Sequence, residues 1–341
     1  MTMDVTDKKV VIGECWARDG LQHEAAIIAT ADKVRILNRI QQIGFTRVEA
    51  TSFAHPRYLP QFNDAEVVLQ AIERHPGVRF RAIVTTDRAM ARAAAAREAG
   101  YGVDEIAMVL ASTDAYNRHN VKMDRLENMG RLESLARQAI DSGHDVIGWI
   151  LTAFGCPFTG DVPFEEVARL ARWWKECGAS QIGLGDTTGM ANPRQVANLL
   201  DHLRGQGFSE TDLILHFHDT RGTGVANNLM ALLKGFVYLD SSLGAMGGQA
   251  RTGAPPSQAG HGGNTCTEDL VAMLQEMGVD TAIDLAGLCD LGVEVEEVMG
   301  RRLRANVLCC GPVRHSPQTV GAGFSNHAAA SDRASERVTE E

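Results

Sequence analysis

Apolar runs of strand length recur along the chain at a steady spacing. They are KVVIGECW (9–16), RVEATSF (47–53), VRFRAIVTT (78–86), EIAMVLAS (105–112), DVIGWILTAF (145–154), QIGLGDTTG (181–189), LILHFHDT (213–220) and FVYLDSSLG (236–244). Between them, apolar residues return at helical spacing in TADKVRILNRIQQIG (30–44), DRAMARAAAAREAG (87–100), MGRLESLARQAIDSG (129–143), PFEEVARLARWWKECG (163–178), NPRQVANLLDHLRGQG (192–207) and GVANNLMALLKG (224–235). Each of these stops at a Gly, the usual residue just past a helix end. Strand and helix alternating eight times predict an α/β fold, a (β/α)8 TIM barrel. A doubly wound open sheet is the alternative, weakened because no GxGxxG follows the first strand.

After the eighth strand comes a Gly-rich loop, residues 244–264. CTEDLVAMLQEMG (266–278) then reads as the closing helix, and DLAGLCDLGVEVEEVMGRRL (284–303) as one or two outer helices. From about Ser316 the chain is polar and rich in Ala and Ser, which predicts a mobile tail. The expected division is a catalytic barrel over residues 8–300 and a partly disordered C-terminal extension over 301–341. At 341 residues the chain suits one such barrel.

Charge and cysteine content narrow the setting. The net charge of −10 and the lack of a Lys/Arg stripe argue against a nucleic-acid partner. No apolar run approaches the ~18 residues of a membrane span, and the N-terminus has no apolar signal core. Seven cysteines at irregular spacing, with no CxxC, give neither a zinc knuckle nor a disulfide framework. A reducing, cytoplasmic location is expected.

In a barrel enzyme the chemistry sits at the C-terminal ends of the strands. The polar residues there are Glu14, Arg18 and Asp19 after strand one, Glu49 on strand two, Asp186 on strand six, His216 and His218 on strand seven, and Asn264 beyond strand eight. His216 and His218 are two apart, so on a strand they share a face and can converge on one ion, with Phe217 turned to the helices. Two hydrogen-bonded core histidines would be the plain alternative; the carboxylates at neighbouring strand ends favour ligation. Asp19 is the natural third ligand, and Asn264 can add a carbonyl oxygen. Such a set suits Mg²⁺ or Mn²⁺, although two His and a carboxylate also suit Fe(II). Arg18 and Asp19 are adjacent, and neighbours on a strand face apart, so separate roles are expected rather than a mutual ion pair. Glu49 is expected to position Arg18. Asp186 lies in GDTTG, where glycines allow a ligand to approach closely. Cys156, in FGCPFTGD, reads as a packing thiol.

Taken in order, RDGLQHE, VEATSF with HPRYLPQFNDAEVV, GCPFTGD, GDTTGMANP, HFHDTRGTGVANNLMAL, and DSSLGAMGG with GGNTCTEDLVAML resemble the 3-hydroxy-3-methylglutaryl-CoA lyases. These belong to a metal-dependent barrel family that also holds the isopropylmalate and homocitrate synthases. DGLQ, ending at Gln22, and the DT of Asp219 and Thr220 favour the lyase branch. The resemblance covers about residues 10–300. It implies a divalent metal on Asp19, His216, His218 and Asn264, and an Arg18 that stabilises a thioester enolate. Glu14, Glu49 and Asp186 would line the pocket, and Gln22 is a candidate cofactor-binding residue. The implied reaction is retro-Claisen cleavage of a 3-hydroxyacyl-CoA into an acyl-CoA and a keto acid. The implied partner is an acyl-CoA thioester, and a homodimer is the expected assembly. A condensing enzyme or aldolase acting on a 2-oxo acid, and a metal-binding paralogue without turnover, remain as alternatives. One departure stands out. The lyases carry a proton-transfer Cys in GGCP after strand eight, whereas this chain has Gln249 in GGQARTGAPPSQAGHGGN. Gln cannot titrate, so His261 is the candidate to move the proton, with a substrate carboxyl, a metal-bound water or the absence of turnover as the alternatives, and the preferred substrate is expected to differ from 3-hydroxy-3-methylglutaryl-CoA itself.

Overall fold

The computed structural model of the chain describes Val5, residues 8–248 and residues 263–315. Eight parallel strands close into a barrel in sequence order. They are β1 (Val11–Glu14), β2 (Arg47–Ser52), β3 (Arg79–Ile83), β4 (Glu105–Ala111), β5 (Asp145–Leu151), β6 (Gln181–Asp186), β7 (Leu213–Phe217) and β8 (Tyr238–Ser241). All eight lie within the apolar runs of the sequence. The helices are α1 (Thr30–Gln42), α2 (Ala65–Ala71), α3 (Asp87–Glu98), α4 (Asp114–Val121), α5 (Arg125–Asp141), α6 (Phe164–Glu176), α7 (Pro193–Gly205), α8 (Gly224–Leu233), α9 (Thr267–Glu276), α10 (Leu285–Met299) and α11 (Asn306–Cys310). No helix among the described residues is long and apolar enough to cross a membrane. One compact unit ends at Gly311, and Pro312–Glu341 forms a second, of which only residues 312–315 are described.

The main core lies between the strands and the helices, where a single apolar cluster includes Ile36, Leu37, Phe80, Leu135, Trp174, Leu199, Phe217 and Leu288. Inside the barrel the apolar cluster is much smaller: Ala107, Ile147, Trp149 and Ile214. Ile83, Val109, Leu151 and Tyr238 pack against it, and charged side chains run through the interior beside them. At its lower end Arg47 and Arg79 pair with Glu105. Higher up sit Glu49, Arg81 and Asp240, each no more than 1 % exposed. Charges taken this far out of water persist only when paired, and here they lead upward to the strand ends.

Candidate active site

β1 ends at Glu14, and the chain then winds into a wide five-residue turn, Trp16–Gly20. The Gly20 N–H closes it on the Cys15 carbonyl at 3.1 Å. Arg18 and Asp19 therefore sit on a helical turn, not a strand, and their side chains can meet. Arg18 Nη1 donates to Asp19 Oδ1 at 2.8 Å, contrary to the expectation of separate partners. That expectation assumed strand alternation one turn too far along the chain. The same guanidinium donates through Nε to Glu49 Oε2 at 2.8 Å and through Nη1 to Gln22 Oε1 at 3.1 Å. Among the described residues its Nη2 has no hydrogen-bond partner. Glu49 and Asp19 hold the Arg18 guanidinium charged.

His216 is the penultimate residue of β7 and His218 lies one residue past its end, with their rings side by side: Nε2 to Nε2 is 3.0 Å. Asp19 Oδ2 is 3.9 Å from the first and 3.8 Å from the second. The three ligand atoms all lie within 4.8 Å of one another. The outer ring nitrogens are engaged elsewhere, His218 Nδ1 on the Thr187 carbonyl at 2.7 Å and His216 Nδ1 on Asp240 Oδ2 at 3.4 Å. That leaves both Nε2 atoms for the centre, the orientation that hydrogen-bonding supports give to metal-binding imidazoles. Burial and the adjacent His216 lower the His218 pKa to about 4, so this ring is neutral at pH 7. Burial opposes ionisation of Asp19, but the Arg18 guanidinium beside it, helped by the hydrogen bond from Asn264, outweighs that and keeps the carboxylate anionic.

Asn264 completes the group. It forms an isolated bridge with His218, and the backbone on either side is bonded to β7 and its extension: Thr265 N–H to Phe217 O at 3.1 Å, and Asp219 N–H to Gly263 O at 2.9 Å. Its amide nitrogen donates to Asp19 Oδ2 at 2.6 Å and Met246 O at 2.8 Å. Its Oδ1 is buried and has no hydrogen-bond partner among the described residues. The approach of the loop after β8 depends on Gly247, with φ +82°, where a Cβ would collide with the Asp19 carbonyl. The next N–H, from Gly248, reaches Asp19 Oδ2 at 3.2 Å.

Asp186 stands at the end of β6. Its Oδ1 accepts from Met190 N and Ala191 N at 2.7 and 3.0 Å, and so shapes the turn that presents Thr187 to His218. Its Oδ2 is buried and has no hydrogen-bond partner among the described residues. Burial raises its pKa to about 6, against the two backbone donors.

Glu14 does not line the pocket. Inside the barrel the adjacent Gly13 faces Asp240, and alternation turns Glu14 to the outer side. There Oε1 accepts from Trp16 N (2.8 Å) and Leu243 N (3.0 Å), and Oε2 from Thr267 Oγ1 (2.7 Å). It ties β1 to the segment after β8 and to α9. His261 and Gln249 lie outside the described residues. Arg81, Asp240 and Thr187 were absent from the sequence expectations, although the spacing of Arg79 and Arg81 on one strand was a signal that both face inward.

The HMGL-like family matches residues 9–295. The chain belongs to this family. Within it, hydroxymethylglutaryl-CoA lyase YngG of Bacillus subtilis (strain 168) is 37% identical over 296 residues, covering 87% of this chain and 95% of that protein. The human mitochondrial hydroxymethylglutaryl-CoA lyase is 30% identical over 306 residues, 90% of each. Among solved structures, an HMG-CoA lyase from Acinetobacter baumannii in complex with coenzyme A and 3-methylmalate superimposes with a TM-score of 0.83 at 33% identity, over 91% of this chain and 98% of that one. Family membership and these relatives make the HMGL-like chain a carbon–carbon lyase with a TIM-barrel fold.

Proposed function

We propose that the protein is a divalent-metal-dependent lyase that cleaves a 3-hydroxyacyl-CoA related to 3-hydroxy-3-methylglutaryl-CoA into an acyl-CoA and a keto acid. The observation that carries this reading is the sharing of Asp19: one oxygen faces two imidazole nitrogens, and the other holds a guanidinium whose Nη2 has no hydrogen-bond partner among the described residues. The donor set fits a hard cation that tolerates nitrogen, Mg²⁺ or Mn²⁺. Adjacent ligands about 2.1 Å from an octahedral ion stand about 3 Å apart, and the two Nε2 atoms are 3.0 Å apart. The unpartnered Asn264 Oδ1 supports the same reading. Asp19, His216, His218 and Asn264 would hold the cation. When bound, it supplies Lewis acidity that lowers the pKa of the substrate's tertiary hydroxyl.

The remaining steps belong to this chain's own side chains. Asp186, with a free Oδ2 and a pKa near 6, takes the hydroxyl proton. As the carbon–carbon bond breaks, the electron pair moves onto the thioester fragment. Arg18 donates its free Nη2 edge to the enolate oxygen, where charge develops. Glu49 and Gln22 fix that guanidinium, so no reorganisation is needed during the reaction. In place of the lid thiol, His261 as the imidazolium donates a proton to the enolate carbon of the acyl-CoA, and after product release Asp186 gives up its proton and His261 takes one up from solvent. A product assay with metal-stripped protein tests the reading: both fragments should form in equal amounts on adding Mn²⁺ and not before.

A further inference from the structure

We propose that Arg81 is a positioning residue for this reaction, one buried guanidinium that anchors both the enolate-binding and the metal-binding halves of the site. The inference rests on the metal-dependent reading above. Arg81 is 1 % exposed and lies on β3, where its cross-strand partner on β2 is Glu49. Its Nε is 3.5 Å from Glu49 Oε1, and Glu49 Oε2 holds Arg18. Its Nη2 crosses the barrel to Asp240 Oδ2 at 2.6 Å. That same oxygen is 3.4 Å from Nδ1 of His216, the cross-strand neighbour of Asp240. A closed circuit results: Asp19, Arg18, Glu49, Arg81, Asp240, His216, and back to Asp19.

The interior is shaped around this side chain. Gly13 is the cross-strand partner of Asp240 on β1, and a Cβ there would collide with Asp240 Oδ1. Trp149 lies under the guanidinium, 5.2 Å from ring centroid to Cζ, and meets the His216 ring edge-on at 5.5 Å. Cys15, His216 and Asp240 also bring three ligand atoms within 4.8 Å of one another. Arg81 Nη2 is 3.4 Å from Cys15 Sγ as well as 2.6 Å from Asp240, so a fixed cation already serves that second cluster. A planar fork can reach two carboxylates at once, which a lysine ammonium does less well. A residue that only filled the barrel would need neither carboxylate in contact with the site.

The test uses the full chain carrying Arg81→Met or Arg81→Lys, with folding checked by thermal melting. Mn²⁺ affinity is measured by paramagnetic resonance, and kcat at saturating Mn²⁺. Loss of a support behind a metal ligand typically costs 10–100-fold in affinity or activity. Arg81→Met should lose about that much in both Mn²⁺ affinity and kcat, and Arg81→Lys should recover part of each. A folded Arg81→Met that keeps either quantity within about two-fold overturns the shared anchor. Should Arg81→Met not fold, the isosteric Asp240→Asn carries the test. It should weaken Mn²⁺ binding by a similar factor and leave kcat depressed even at saturating Mn²⁺, because Arg81 has lost its far anchor. Full recovery of kcat there overturns the proposal. A parent protein that binds no Mn²⁺ overturns the metal reading and this inference together, whereas normal parent binding with an unaffected Arg81→Met overturns this inference alone.

Discussion

Arg18 and Asp19 form one unit, because the ion pair that links them also separates their tasks: Asp19 Oδ1 faces the guanidinium and Oδ2 faces the histidines. Arg18→Gln should therefore lower kcat by on the order of 10²–10³, as loss of an oxyanion donor does, with little change in KM. Steady-state kinetics separate the two, and a rise in KM alone would make Arg18 a substrate anchor. His218→Ala removes a proposed ligand and its hydrogen bond to the Thr187 carbonyl, while the backbone bridge to Asn264 stays in place. Elemental analysis should find the ion lost from a protein that still melts cooperatively, and full occupancy would remove His218 from the ligand set. Asp186 has a folded pKa near 6 and must be ionised to accept a proton. The rate should accordingly fall about ten-fold per pH unit below about 6, and Asp186→Asn should abolish that limb along with most activity. At this scale the histidine pair was legible because strand alternation is a local rule, and Asp19 because it is a carboxylate close behind the end of β1. The Arg18–Asp19 contact was not, because the turn that permits it depends on where β1 stops. Arg81 and Asp240 were illegible as partners because they are 159 residues apart and meet only when the barrel closes.

The strands were legible as elements because each is a short, strongly apolar run. The long helices followed from their periodicity and Gly stops. α5 begins four residues earlier than MGRLESLARQAIDSG suggested, because Asp124 caps it, accepting from Glu127 N at 2.9 Å. α2, α4 and α11 were missed; at seven, eight and five residues they are too short to show a period. β1 gives an element-scale prediction through Glu14. Burial raises its pKa to about 8, against three hydrogen-bond donors, and burial raises Glu268 on α9 to about 7. A carboxyl whose pKa is raised on folding stabilises the fold while it stays protonated, and that contribution disappears as pH climbs through the folded value. His218 and His144, both lowered to about 4, act in the opposite sense only below their unfolded pKa near 6.5. Between pH 6.5 and 8 the melting temperature should therefore fall with rising pH, and Glu14→Gln should flatten that slope. A parent melting temperature that rises across this window would contradict the assignment.

For the whole molecule, the barrel separates stability from chemistry. The large apolar core lies outside the strands, so the interior is free to carry a charged column up to the strand ends. Fold and family were legible because many ordered motifs along the chain agree. The identity of the proton donor was not, because Gln249 and His261 carry no periodic signal and lie outside the described residues. Metal-dependent carbon–carbon cleavage of a CoA thioester remains the central claim. Its most direct test supplies metal-stripped full-length protein with 3-hydroxy-3-methylglutaryl-CoA, with and without Mn²⁺, and quantifies acetyl-CoA and acetoacetate together. The account predicts equal amounts of both products, formed only with the cation, at a rate well below the ~10 s⁻¹ of a typical enzyme and unaffected by prior thiol alkylation. An equal rate without any divalent cation, or no cleavage of this or any related 3-hydroxyacyl-CoA, would contradict it.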